Sequence, residues 1–243
     1  IFSFWMGDIL KKGYQRPLER SDMYRLGDQY LTKTVSKQLN DAWTARKGVV
    51  QEWPLLWSIS DAFGGPFYVA GLLKLFGDVA AMATPFALKC LISTIESSIA
   101  VNNTSAALIR QGYIYCFIIF GLQVMNTVAV NSYFSINFRV GMKTRTALNA
   151  LTYAKSQRLS AAARQKFSNG QIVNLISGDS GRVEMATLFL HYIWSGPFQL
   201  IVILSIMFFM IGPVVFIGLL MFVISIPIQS KLTTWLSKYR KVI

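Results

Sequence analysis

The sequence has few of the side chains on which most catalytic and metal sites are built. Its 243 residues include two cysteines, one histidine and only 11 acidic residues. Cys90 and Cys116 lie in apolar segments, and neither they nor His191 have neighbours at zinc-ligand spacing. The pattern G-x-x-x-x-G-K-[ST], which forms a phosphate-binding loop, does not occur in the sequence. We therefore predict that this chain has no catalytic residue, binds no metal or nucleotide cofactor, and cannot hydrolyse ATP alone.

Charged residues are also scarce. They make up 14% of the chain, whereas soluble domains carry about 25%. Hydrophobic residues make up 53%. A net charge of +13 is common in nucleic-acid-binding proteins, but no nucleic-acid-binding signature accompanies it here. Basic residues also collect on the cytoplasmic flanks of membrane spans. The composition therefore predicts an integral, multi-pass membrane protein that contacts the lipid bilayer and binds no nucleic acid.

Four apolar segments predict helices that cross a bilayer core of about 30 Å, the last of them together with its continuation as a basic amphipathic helix. Residues 1–65 hold no such segment, and the tryptophans Trp43, Trp53 and Trp57 are typical of an interfacial elbow helix. Gly64-Gly65-Pro66 predicts a turn into the membrane, and Gly212-Pro213 predicts a tight turn between the last two spans. The predicted spans are about 66–95, 108–138, 186–211 and 214–228.

Lysine and arginine placement predicts the orientation of these spans. Residues 1–65 hold nine of them and residues 139–190 hold eight, whereas the connection after the first span holds only Arg110. Both termini and the long middle segment are therefore expected in the cytoplasm. Asn102 and Asn103 begin overlapping N-x-[ST] glycosylation sequons in the connection assigned outside, which supports the same orientation.

The middle segment, 139–185, predicts a helical hairpin that projects far beyond the membrane. The helical period of the second span continues to about Lys166. Asn169-Gly170 then interrupts the helix, and a short helix follows. A second break is predicted at Gly178 to Gly181, where Asp179 is a candidate N-cap for the next helix. A short helix held crosswise at the tip of such a hairpin is suited to receive force from a partner domain.

Polar residues inside the spans are the candidates for a substrate cavity. Lys74 and Asp78 lie four residues apart on one helix face, and charges at membrane depth usually face a bundle interior or a wet cavity. A structural ion pair is the alternative. Gln123, Asn126 and Tyr133 in the second span either form hydrogen bonds between helices or line a pathway. His191 is interpreted as a packing or interfacial histidine.

Two motifs resemble those of a known family. The first runs from Ser3-Phe4-Trp5 to Leu26 and is similar to the N-terminal lasso, F-[ST]-W … L-x-x-G-Y-x-R-P-L-x-x-x-D-[LM]-[YW]-x-L. Its matching residues include Trp5, Gly13, Tyr14, Arg16, Pro17 and Asp22. The second is similar to the first coupling helix, G-[EQ]-[IV]-x-N-L-[MI]-S-x-D-x-x-R. Its matching residues are Gly170, Ile172, Asn174, Leu175, Ser177, Asp179 and Arg182.

These motifs resemble ABC exporters of the multidrug-resistance-associated (C) subfamily, with the fungal oligomycin-resistance type among the candidates. The resemblance covers the N-terminal part of the first transmembrane domain. It implies an all-α type I exporter fold, in which residues 1–65 form lasso and elbow and residues 66–243 supply four of six transmembrane helices with cytoplasmic extensions. The chain is expected to be part of a longer polypeptide.

The resemblance also implies a function. The full-length protein would be an ATPase-coupled translocase that exports amphipathic or conjugated compounds by alternating access, in the plasma or vacuolar membrane. Its nucleotide-binding domains, which take ATP and Mg²⁺, and its second transmembrane domain would be partners within the same polypeptide. Three alternatives stay open: an ABC-family channel or channel regulator, a truncated non-transporting interaction protein, and an unrelated four-helix membrane protein.

Overall fold

The computed structural model describes residues 6–46, 52–100, 106–160 and 169–240. Every regular element that these residues form is helical, as the predicted all-α class requires. The described residues divide into two compact units, Ile1–Ile193 and Trp194–Ile243. The lasso residues Ser3, Phe4 and Trp5 and the sequon residues Asn102 and Asn103 lie outside the described residues.

The N-terminal part consists of short helices. Helix α1 covers Gly7–Gln15, two 3₁₀ turns cover Arg20–Asp22 and Asp28–Tyr30, and helix α2 covers Thr32–Ala45. Of the tryptophans assigned to the predicted elbow, Trp43 lies in α2 and Trp57 in the next helix. The buried side chains of α2 contact the two long helices that follow, so α2 is anchored by its own apolar face.

Helix α3 covers Pro54–Ala100 without interruption, so the turn predicted at Gly64-Gly65-Pro66 is wrong. The change of direction comes earlier, at Trp53, whose φ of 65° lies in the left-handed region. Pro54 then occupies the first helical position, where its missing N–H has no cost. Pro66 removes only one backbone hydrogen bond, and the buried Phe63 and Ala70 hold the helix on either side of it.

Helix α4 covers Ala106–Gln157. It ends earlier than the predicted end near Lys166, because its last turn tightens. The backbone N–H groups of Arg158 and Leu159 donate to carbonyls three residues back, at 3.1 and 3.4 Å. The Ser156 hydroxyl donates to the Tyr153 carbonyl, an alternative bond that competes with continuation of the helix.

The remaining chain is one long helical succession with three irregular points. Helix α5 covers Asn169–Asn174, a π-helical turn covers Leu175–Asp179, and α6 covers Ser180–Phe189. Helix α7 covers Tyr192–Ile211, a 3₁₀ turn covers Gly212–Val214, and α8 covers Val215–Arg240. The predicted third span, 186–211, is therefore divided at Leu190 and His191. Gly212 has a φ of +78°, which accounts for a glycine at the predicted turn.

A small apolar core joins α2, α3 and α4. It is formed by Val35, Leu39, Phe63, Val140 and Ala147, all 5% exposed or less. Beyond this core the helices keep large apolar side chains exposed, which is expected of surfaces that contact lipid or further protein. Within the described residues, three stretches are long and apolar enough to cross a membrane: Pro54–Ile99, Ala106–Gln157 and Gly170–Ser237. The third contains the last two predicted spans, and the four-span topology stays a prediction.

Candidate functional site

The predicted coupling segment begins with α5 and continues through the π-helical turn. The Ser180 N–H donates to the Leu175 carbonyl, which closes the wide turn. A side chain on Gly178 would stand 2.9 Å from the Asn174 Oδ1, so the wide turn brings these two residues close together. Turns of this kind are frequent at functional sites. The segment is therefore a short helix joined to α6 through an irregular but helical turn.

The break predicted at Gly178 to Gly181 is wrong, and so is the N-cap role of Asp179. An N-cap residue has extended backbone angles, whereas Asp179 has φ −72° and ψ −38° and makes no side-chain capping bond. Gly178 lies in the π-helical turn and Gly181 in α6, so the backbone is helical past both glycines and no free helix end exists there to be capped. Asp179 instead pairs with Arg182, with 3.5 Å between Oδ1 and Nη1.

The outer face of the coupling segment is exposed and partly apolar. Gly170, Asn174 and Ser177 are exposed, and Ile172 is half-buried. Val173 is 62% exposed and Leu175 is 47% exposed. Apolar side chains on such a face are available to a partner that packs against the tip.

Three contacts fasten α6 to the C-terminal half of α4. The Tyr133 hydroxyl donates to the Leu188 carbonyl at 2.6 Å, and Tyr133 is fully buried. The Arg145 guanidinium donates to a Glu184 carboxylate oxygen at 2.8 Å. Between them, Gly141 approaches the Glu184 backbone so closely that an added Cβ would lie 3.0 Å from its carbonyl oxygen. We call these contacts the α4–α6 clamp.

Of the two roles left open for Tyr133, the hydrogen bond between helices is the one that its bond to the Leu188 carbonyl fits. Gly141 was not singled out from the sequence, although an isolated glycine within a long helical pattern signals a close approach of two backbones. The two helices are therefore joined at three levels by a hydrogen bond, a backbone contact and an ion pair.

Lys74 and Asp78 form the predicted ion pair, with Nζ donating to Oδ1. The residues are 4% and 5% exposed. The Lys74 ammonium also stands 4.5 Å from the centre of the Tyr192 ring, a favourable cation–π distance. Of the other cavity candidates, Gln123 is exposed and Asn126 is half-buried. The Asn126 amide oxygen faces α3, 3.5 Å from the position of a Cβ on Gly77, next to the ion pair.

His191 packs against the same region, as its interpretation from the sequence anticipated. It is 6% exposed and its ring stacks on Phe67 with 4.1 Å between ring centres. Its Nε2 lies 3.0 Å from the Phe67 carbonyl oxygen. Gly71 leaves room for the ring, since a Cβ there would stand 2.6 Å from Cε1. The helix interruption at Leu190 and His191 is thus packed closely against α3.

The lasso motif forms a local fold around Asp22. Arg16 donates to one Asp22 oxygen at 2.8 Å, and the Glu19 N–H donates to the other at 3.0 Å. The backbone bond, followed by the guanidinium, lowers the pKa of Asp22 from its ordinary value of 3.8. Leu18 folds back to within 3.4 Å of a Cβ position on Gly13. The motif residues Tyr14 and Pro17 are exposed.

Comparisons with known proteins agree with this arrangement. Residues 67–242 match the family described as ABC transporter transmembrane region. The chain belongs to this family of ABC transporter transmembrane domains. The chain is 32% identical to the metal resistance protein YCF1 of Saccharomyces cerevisiae, over 98% of this chain and 16% of that protein.

Further relatives place this transmembrane domain in the C subfamily. It is 31% identical to ABC transporter C family member 8 of Dictyostelium discoideum, over 99% of this chain and 14% of that protein. It is 26% identical to the human ATP-binding cassette sub-family C member 4, over 95% of this chain and 17% of that protein. The chain therefore spans about a sixth of the length of the curated relatives it matches. Among the described residues, no group of three or more His, Cys, Asp or Glu could hold a metal ion.

Proposed function

We propose that this transmembrane domain belongs to an ATP-driven exporter of amphipathic or conjugated organic compounds, and that it receives force at its cytoplasmic tip. The α4–α6 clamp is the observation that carries the proposal. A tip joined to α4 at three levels is suited to transmit displacement into the membrane, because the backbones of α4 and α6 are in direct contact at Gly141. A flexible tip would absorb the movement locally.

The proposed mechanism is alternating access. ATP and Mg²⁺ bind in nucleotide-binding domains of the same polypeptide. Closure of these domains displaces the coupling segment, which comprises Ile172 to Ile176. The exposed Val173 and Leu175 supply apolar contact to that partner. The clamp carries the movement into α4, and the cavity between this domain and a second transmembrane domain opens outward. Hydrolysis resets the cycle.

The proposed topology has four spans, about 66–95, 108–138, 186–211 and 214–228, with both termini and the 139–185 hairpin in the cytoplasm. Residues 1–65 form the lasso and elbow on the inner side. Glycosylation at Asn102 or Asn103 would mark the outer side. The plasma membrane and the vacuolar membrane are the two proposed locations.

We assign the substrate cavity to the region of Lys74, Asp78, Gln123 and Asn126. The positive charge and the nearby Tyr192 ring suit an amphipathic compound with an anionic group. Because one relative is named a metal resistance protein, metal-containing compounds belong among the substrates to be assayed.

Transport into inside-out vesicles tests the coupling role. Asn174→Pro removes the N–H that bonds within α5 and costs about 3 kcal/mol or more of local helix stability. We expect ATP hydrolysis to lose its stimulation by substrate and ATP-dependent uptake to fall in this variant, while the protein still inserts. Asn174→Ala is the matched control, since it removes the same amide but keeps the helix.

The outcomes separate the alternatives. Unchanged substrate-stimulated turnover in Asn174→Pro would exclude a coupling role for this segment. An equal loss of substrate stimulation and uptake in Asn174→Ala would assign the effect to the side-chain amide rather than to the helix. Flux that runs only down a gradient in the wild-type protein would indicate a channel instead of a pump.

Two variants of the buried ion pair test the cavity assignment. Lys74→Ala alone leaves an unpaired buried carboxylate, which costs about 3–5 kcal/mol, whereas removing both charges is often nearly neutral. We therefore expect Lys74→Ala/Asp78→Ala to restore expression but not transport of anionic substrates. Normal transport with normal surface expression in the double variant would assign the pair to structure alone.

A further inference from the structure

A cavity of about 480 Å³ lies between the second 3₁₀ turn, helix α2 and the long helices α3 and α4. Its lining is partly polar and partly apolar. Tyr30, Gln38, Arg139 and Lys143 supply polar groups, whereas Phe63 and Val69 supply apolar ones. We call it the lasso cavity, because the segment after the lasso motif closes it.

Its position coincides with the predicted inner edge of the membrane. The first predicted span begins at 66 and the second ends at 138, and the cavity is lined by Pro66 on α3 and by Arg139 on α4. Exposed apolar side chains continue along α3 from the cavity, where Val69 is 53% exposed and Leu72 is 60% exposed. The cavity therefore opens where headgroup and hydrocarbon regions meet.

Two cations stand on the same face of α4 in this cavity. Arg139 and Lys143 are four residues apart, so they are neighbours on the helix surface. The Arg139 guanidinium donates to the Ser135 carbonyl and hydroxyl at 3.1 and 3.3 Å. The Lys143 ammonium stands 4.8 Å from the centre of the Tyr30 ring. Neither cation forms an ion pair with any residue that the structure describes.

We propose that the lasso cavity binds the headgroup of an anionic phospholipid from the inner leaflet. Arg139 and Lys143 contact the phosphate, and Gln38 supplies an amide for the rest of the headgroup. The volume admits one headgroup, so the acyl chains lie outside, along the exposed α3 face at Val69. The proposal uses the orientation given under the proposed function but not the transport activity.

The amphipathic lining is what favours a lipid over other anions. A soluble phosphate would use the two cations but would leave Val69, which is 53% exposed, uncovered. A bound lipid contacts the cations and Val69 at once. It also contacts Tyr30 and Gln38 together with α4, so it holds the segment after the lasso against the transmembrane helices.

Lipid binding to the complete polypeptide that carries this chain tests the proposal. The protein is purified in detergent, and native mass spectrometry measures the affinity for phosphatidylserine and for phosphatidylcholine. Arg139→Gln/Lys143→Gln should bind phosphatidylserine about 30-fold more weakly. Each cation near an anionic lipid contributes about 1 kcal/mol, and about 1.4 kcal/mol corresponds to a tenfold change in affinity. Lys33→Gln/Lys37→Gln is the matched control, because it removes two exposed cations spaced alike on α2 but outside the cavity.

A charge-conserving variant, Arg139→Lys/Lys143→Arg, should bind phosphatidylserine within about threefold of wild type, since each cation near an anionic lipid contributes similarly. Its melting temperature and that of the Gln variant, measured without lipid, check that both fold. Equal weakening in the α2 control would overturn the proposal in favour of general attraction to basic flanks. So would equal binding of phosphatidylcholine.

A third arm separates the lipid from its headgroup. Glycerophosphoserine, which lacks acyl chains, should fail to displace phosphatidylserine at matched concentration, and displacement would overturn the lipid assignment in favour of a soluble anion. The orientation is checked separately by glycosylation at Asn102 or Asn103. Sequons located in the cytoplasm would refute the orientation. Sequons located outside, together with an Arg139→Gln/Lys143→Gln variant that binds phosphatidylserine as the wild type does, would refute the lipid site alone.

Discussion

The close approach at Gly141 makes a quantitative prediction about the α4–α6 clamp. A Cβ at this position would lie 3.0 Å from the Glu184 carbonyl oxygen, and 3.3 Å from the Glu184 Cγ. The first of these atoms belongs to the backbone, so rotation of a side chain cannot relieve the contact. Gly141→Ala must therefore move α6 away from α4 by a few tenths of an ångström.

Two opposing effects determine the size of the change. Alanine in place of glycine within a helix stabilises it by about 1 kcal/mol. Overpacking a well-packed contact costs about 1–3 kcal/mol. Gly121 lies on the same helix, and an added Cβ there meets nothing within 4 Å among the described atoms. Gly121→Ala thus keeps the first effect without the second, and the two variants should differ by about 1–3 kcal/mol in stability.

The assay compares the two variants in the complete protein. Thermal unfolding in detergent should give a lower melting temperature for Gly141→Ala than for Gly121→Ala. Substrate-stimulated ATP hydrolysis should fall in Gly141→Ala, because the displaced α6 weakens the ion pair between Arg145 and Glu184. If Gly141→Ala proves as stable and as well coupled as Gly121→Ala, the clamp does not carry force and the reasoning is refuted.

Two further predictions concern the clamp and the lasso. Tyr133→Phe removes the bond to the Leu188 carbonyl and should lower unfolding stability by about 1 kcal/mol; an unchanged melting temperature would contradict this. The Glu19 N–H and the Arg16 guanidinium lower the pKa of Asp22. The stability that ionised Asp22 gives to the local fold of the lasso motif is therefore complete above the ordinary pKa of 3.8, and it is lost as pH falls through the folded-state pKa. Protection of the Glu19 amide from hydrogen exchange, corrected for the intrinsic rate, should therefore stay constant from about pH 7 to about pH 5, and Asp22→Asn should lower it throughout that range.

Features that depend on local spacing could be predicted from the sequence. The Lys74–Asp78 ion pair follows from two opposite charges one helical turn apart, and the structure confirms it. Long apolar helices follow from composition, since few charges interrupt them. The family follows from residues at fixed spacing in the lasso and coupling motifs, and the match over residues 67–242 agrees.

Breaks in helices could not be predicted in the same way. Gly64-Gly65-Pro66 is a strong local turn signal, yet the helix continues because Phe63 and Ala70 are buried on both sides of it. Asp179 is a good N-cap in isolation, but a π-helical turn leaves it no helix end to cap. The preference of a single residue for or against a helix amounts to less than about 1 kcal/mol for residues other than proline. Packing therefore overrides it.

The sequence alone determined that this chain is helical, is an integral membrane protein and shares the motifs of ABC exporters. These properties reside in composition and in spacing along the chain, and both survive any rearrangement of the helices. Only the tertiary structure decided that Gly141 touches Glu184 and that Arg139 and Lys143 share a cavity with Tyr30. Such contacts join residues far apart in sequence, and their distances depend on how the helices pack rather than on any local pattern.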